Sequence, residues 1–103
     1  MSKAAFLERR VVSLSHQDKT YHVRPLTGLQ LETFLGTERD EELDGVNALS
    51  RVCCYCACDQ HGTRLWDDSD VELIRREVDF DVVKVVAEKA LEVSGLGDSV
   101  GNG

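Results

Sequence analysis

Two short segments near the start of the chain, RRVVSL (residues 9–14) and TYHVR (residues 20–24), are rich in β-branched and aromatic side chains and are joined by the polar SHQDK. This pattern predicts a β-hairpin. Pro25 has no N–H to give to a ladder, so the second strand ends at about that point. Thr27 with Gln30 makes a capping-box pattern, which predicts a helix from Gly28 carrying Leu29, Leu31, Phe34 and Leu35. The glycine-bounded acidic run GTERDEELDG, residues 36–45, is either a solvated loop or a helix that frays into one.

A second helix is predicted from near Gly45, because Val46, Leu49, Cys53, Cys56 and Ala57 recur at the spacing of one apolar face. DQHGTRLWDDSD then breaks the periodicity, with Gly62 free to take a positive φ in a turn. Asp67, Asp68 and Ser69 can each cap the next helix, and Ser69 with Glu72 repeats the capping-box pattern. That third helix, residues 71–76, turns Val71, Ile74 and Val78 inward. A fourth, residues 80–94, begins at Asp79 and ends at Gly95 and Leu96 in the manner of a Schellman motif. Its valines also suit a strand, but about fifteen residues without a breaker exceed a typical strand of about 4–8.

Phe80, Val83, Ala87, Ala90 and Leu91 fall on the core side of this fourth helix, with Val82, Val86 and Val93 beside them and Val85 beyond. An apolar arc that wide exceeds what one core contact needs. Either the helix is sandwiched between two layers, or Val82, Val85, Val86 and Val93 form a surface for another chain or for self-association. The expected architecture is α+β: an N-terminal β-hairpin followed by a bundle of about four helices in one small domain, residues 9–96. Residues 1–8 are expected to be a flexible N-terminus and residues 97–103 a disordered C-terminal tail.

At 103 residues, 42% hydrophobic and 30% charged, the chain suits one folded domain. Its formal net charge of -7 disfavours nucleic acid, since no Lys/Arg cluster is present to displace phosphate counterions. Proteins are the expected partners. The start, MSKAAFLERRVVSL, is interrupted by Lys3, Glu8, Arg9 and Arg10 before a signal-like apolar core develops, and no window approaches a membrane span. A cytosolic location is expected, and the bunching of all four cysteines in one place agrees with a reducing compartment.

Cys53, Cys54, Cys56 and Cys58 invite a metal or thiol reading. A structural zinc site takes four convergent ligands, usually from two separate knuckles, and only one cysteine segment exists. On a helix, Cys53 and Cys56 face the core while Cys54 and Cys58 lie on a flank, so the sulfurs diverge. His16, His22 or His61 could complete a site in principle, but filling a tight helix interface is the favoured role for the cysteines, with no metal and no cofactor. A thiol enzyme needs a lowered cysteine pKa and a nearby base, and these cysteines end a helix in acidic company. Residues 59–70 have the length of a calcium loop but place Gly62 fourth and aspartate twelfth, which the loop does not tolerate. Asp67, Asp68 and Asp70 suit helix capping, and Trp66 suits a core anchor ahead of the cap. No phosphate loop, nucleophile elbow or metal motif is present, so no catalysis is expected.

Taken in order, YHVRPLTGLQLETF, ALSRVCCYCACDQHGTRLWDDSDVELI and ALEVSGLGD resemble the small tail assembly chaperones of long-tailed, siphovirus-like bacteriophages. The match runs over residues 21–98. Its motif pieces are a turn of D-x-x-G-x-x-L-[FW] type, here Asp59, Gly62, Leu65 and Trp66, and an acidic cap, here Asp68, Asp70 and Val71. The dense cysteines depart from the small Ala, Val or Ser residues that serve the same packing. The resemblance implies a non-enzymatic role in virion morphogenesis: binding the tape measure protein and keeping it soluble in the cytoplasm of the bacterial host, until tail-tube subunits polymerise around it. It also implies that a longer frameshifted product can diverge near the glycine-rich end. The alternatives are another phage morphogenesis or adaptor domain that binds a preformed partner, and a small zinc-binding module.

Overall fold

Strand β1 (Val12–His16) and strand β2 (Lys19–Val23) pair antiparallel, from Val12 opposite Val23 to His16 opposite Lys19. The computed structural model describes residues 3–8, 10–40 and 45–96. The connecting turn is Gln17 and Asp18 alone, both at positive φ, so the hairpin is tighter than the polar SHQDK suggested. Two left-handed residues give the turn the twist that matches the strands, and Asp tolerates that conformation. Val12 and Leu14 alternate toward the core, where Val23 is fully enclosed.

Before the hairpin, Lys3–Leu7 forms a short helix, α1, where a flexible start was expected. Ala4, Ala5 and Leu7 are strong helix formers. None of its residues is buried. Helix α2 (Gly28–Asp40) opens with the expected reciprocal cap: the Gln30 N–H donates to Thr27 Oγ1 at 3.1 Å and the Thr27 N–H to Gln30 Oε1 at 3.0 Å. Its core side is narrower than expected. Phe34 is buried and Leu31 half-buried, but Leu29 is 73% exposed and Leu35 is exposed too. The acidic run is helical through Asp40, and its residues 41–44 lie outside the described residues, as does the tail 97–103.

Helix α3 (Gly45–Cys56) is the centre of the molecule, packed against α2, α4 and α5. It is enclosed nearly all round from Ser50 onward, not on one face: Val52, Cys53, Cys54, Tyr55 and Cys56 are all buried. Small side chains let three helices approach it closely. It passes without a break into β3 (Ala57–Cys58), which pairs antiparallel with Val23 and His22 and makes the sheet three-stranded in the order β1-β2-β3. The hairpin therefore acquires a third strand that no local pattern announced.

After β3 a turn returns the chain so that Arg64 bridges Cys58. A 3-10 turn (Asp68–Asp70) leads into α4 (Val71–Glu77), which buries Ile74. The cap lies two residues earlier than Ser69 and Glu72 suggested: the Asp67 N–H donates to Asp70 Oδ2 at 2.8 Å. Helix α5 (Phe80–Val93) then packs between α3 and the hairpin. It ends as a Schellman motif, with Gly95 at φ +87°, the Leu96 N–H on Leu91 O at 2.8 Å and the Gly95 N–H on Glu92 O at 3.0 Å. The buried stripe of α5 is Val83, Val86, Ala87 and Ala90, with Leu91 half-buried, whereas Phe80, expected on the core side, is 47% exposed at the helix start.

Candidate functional site

Between β2, the Asp59–Gly62 turn and α5 lies a cleft of about 530 Å³, within the range of about 300–1,000 Å³ typical of ligand sites. Its lining comes from five segments. Tyr21, flanked by Thr20 and His22, forms the strand wall, and Cys53, Ala57 and Cys58 come from the junction of α3 and β3. Leu65 and Trp66 line it as well, and Val82 and Val86 of α5, with Val78 just before that helix, supply a further wall. Asp59, Gln60 and His61 give it a polar edge.

The turn that shapes this edge is held by one carboxylate. Asp59 Oδ1 accepts the N–H of His61 at 2.8 Å and that of Thr63 at 3.0 Å. These backbone donors, Thr63 first, hold the Asp59 pKa below the usual carboxylate value. Gly62 is required twice over: its φ is +87°, and a Cβ there would stand 3.1 Å from Val11 Cγ2. Its carbonyl accepts Arg24 Nη1 at 2.9 Å, which ties the turn to the end of β2.

Arg64 secures the next stretch. Its Nη2 donates to Cys54 O at 3.0 Å and pairs with Asp68 Oδ1 at 2.9 Å, and its guanidinium lies 5.9 Å from the Tyr55 ring centre. The end of α3 is thus bound to the cap of α4, and Trp66 between them is held half-buried at the cleft. On the opposite side, His16 Nε2 lies 2.7 Å from Asp81 Oδ2, and Gln17 Nε2 donates to the same oxygen at 3.2 Å. The hydrogen bond from His16 is the main cause of the lowered Asp81 pKa. This clasp joins the hairpin tip to the first turn of α5, the two elements that flank the cleft.

The cysteines are all free and buried. Cys54 and Cys58, expected on a flank, are enclosed as fully as Cys53 and Cys56: the segment carrying Arg64 and Asp67 packs on the first, and β3 pairing carries the second into the sheet. Burial, with the neighbouring Cys54 adding to it, pushes the Cys53 thiol up to about 12, so it stays protonated at neutral pH. Burial also raises Cys54, whose thiol donates to Asp67 O at 2.9 Å. Among the described residues, no group of three or more His, Cys, Asp or Glu side chains is placed to hold a metal ion. Neither Cys53 nor the doubly bonded Asp59 is a poised nucleophile or base, and the cleft is suited to apolar surface.

The four valines singled out in the sequence separate in space. Val82 is half-buried on the helical wall of the cleft. Val86 touches the cleft but is only 2% exposed, so it belongs to the core and is not a free surface residue. Val85 and Val93 are half-buried against the core and lie outside the cleft lining. The wide apolar arc of α5 is explained mainly by its position between α3 and the hairpin. Sequence reasoning named none of Tyr21, Leu65 and Val78 as a binding residue: Val78 was expected inward, Leu65 entered only with the turn motif, and Trp66 was taken for a core anchor. The signal was the pair Leu65 and Trp66, two large apolar residues directly after a polar turn.

Among the described residues no helix is long and apolar enough to cross a membrane. In comparisons with known proteins, no family model, no curated protein and no solved structure matches this chain.

Proposed function

We propose that this protein is a phage tail assembly chaperone, and that it holds an apolar helical stretch of a tape measure protein in the cleft beside Trp66 and Val82. One observation carries the proposal: of the turn motif in the family resemblance, Asp59, Leu65 and Trp66 line the apolar cleft and Gly62 shapes the turn at its edge. A tape measure protein destined for a tube lumen exposes apolar stripes before assembly. A groove that takes side chains at helical spacing covers such stripes, and a chain of net charge -7 keeps the covered complex apart from its neighbours in the cytoplasm of the bacterial host. No catalysis, metal or cofactor enters this role.

The test is co-expression with the tape measure protein, followed by size-exclusion chromatography with light scattering. A soluble complex is expected with the wild-type chain, and its loss with Val82→Asp while the variant itself stays folded. A tape measure protein that stays insoluble beside the folded wild-type chain overturns the proposal. Capture of a preformed folded tail protein instead would make the chain an adaptor.

A further inference from the structure

Helix α1 presents a problem of its own. It is five residues long, buries none of them, and leaves Phe6 78% and Leu7 76% exposed. An isolated helix of that length is marginal in water, and two large adjacent apolar side chains on it are surface that a second body would cover.

The chain also holds an apolar cleft that its own residues leave open, lined by Trp66, Tyr21 and Val82. The two features complement each other in charge. The first ten residues carry Lys3, Arg9 and Arg10 against one acid, Glu8, in a chain whose net charge is -7. The cleft has Asp59 on its edge, and the exposed Glu77 and Asp79 flank its residue Val78 in the chain. A basic, apolar arm and an apolar cleft with carboxylates beside it are complementary in charge.

The arm of the same molecule is badly placed to fill it. Phe6 lies with Pro25 and Leu26 in a shallow groove, and Arg10 Nη2 donates to Val93 O at the C-terminal end of α5. The cleft opens beside Val82 and Val86, between 7 and 11 residues earlier on the same helix, which is about 10–16 Å by helical rise. We propose that the cleft holds the α1 arm of a second copy of this chain, with Phe6 and Leu7 seated against Trp66 and Val82. The inference stands apart from the chaperone role, although a partner helix entering the cleft would displace the arm.

The chain's single tryptophan, Trp66, reports on the cleft directly. Sedimentation velocity of the full chain, from dilute to concentrated solution, is compared with the Trp66 emission maximum over the same range. Mass and a blue shift are expected to rise together in the wild type. In Phe6→Asp/Leu7→Asp, whose substituted side chains are exposed and leave the circular dichroism unchanged, the apparent dissociation constant rises at least about tenfold. Val82→Asp, which disables the cleft and keeps the arm, is expected to weaken self-association equally. Mixing the two variants restores a complex, since one supplies the cleft and the other the arm. A wild type that is monomeric throughout overturns the proposal, as does association that persists in the arm variant. A Trp66 shift that depends on Phe6 and Leu7 but not on concentration also overturns it, by placing the arm in its own cleft. None of these outcomes depends on the tape measure protein, so the two proposals fail separately.

Discussion

On one flank of α5, Val83, Ala87 and Ala90 are sealed in the core that the helix shares with α3. On the other, Val82 stands half-buried on an open cleft shared with Tyr21 and Trp66. The side chains of the two flanks are chemically alike, and their neighbours are not. Helix α3, which packs closely on this flank, is rich in small buried side chains that allow close approach, so the contact closes. Tyr21 and Trp66 are large and amphipathic, and each is only half-buried. Closure is thus decided by the shape of the opposing wall and not by the hydrophobicity of the helix.

Substitutions can break or sharpen this comparison. Val83→Asp puts a charge into the sealed flank, and the expected result is loss of the cooperative urea transition altogether. Gly62→Ala attacks the cleft wall through the backbone: strain at positive φ and crowding against Val11 are expected to cost about 1–3 kcal/mol in chemical denaturation. Val82→Asp on the open flank should change stability by less than about 1 kcal/mol, since a carboxylate in the first turn of α5 meets a favourable helix dipole. Near-equal losses for Val82→Asp and Val83→Asp would show that the cleft is as closed as the core.

Smaller effects test the edges. The four thiols should be unreactive toward a thiol reagent in the native protein at neutral pH and all react in urea, since burial holds Cys53 near 12. Asp81 has a folded pKa below its ordinary value, so the native state holds fewer protons than the unfolded chain through that interval. The stability it contributes is present above the ordinary carboxylate pKa of about 4 and is lost as pH falls through the lower folded value. Asp81→Asn should flatten that part of the acid limb of a pH–stability curve, with little change at neutral pH.

The helices were legible wherever their signals were local. Thr27 with Gln30 and Gly95 with Leu96 make the hydrogen bonds their spacing implies, because each motif completes itself within one turn of chain. The Ser69 and Glu72 pattern failed for a similarly local reason: Asp67 and Asp70 offer the same spacing two residues earlier, and the 3-10 turn is capped there. Strand β3 was illegible because two residues carry no periodicity, and only pairing with Val23 and His22 makes them a strand. The cysteine cluster was half legible. Packing was the expected role, but the burial of Cys54 and Cys58 required the return of the chain through the Asp59 turn.

By itself, the sequence determined the α+β class, the caps at Thr27 and at Gly95, the positions of four helices and the turn at Gly62, since each depends on residues within a few positions of one another. Tertiary structure alone decided the third strand, the enclosure of α3, the assignment of Val86 to the core and Val82 to the rim, and the cleft itself. A concavity is a relation among five separated segments, and its depth depends on how large side chains such as Tyr21 and Trp66 stand apart once the backbone has brought them together.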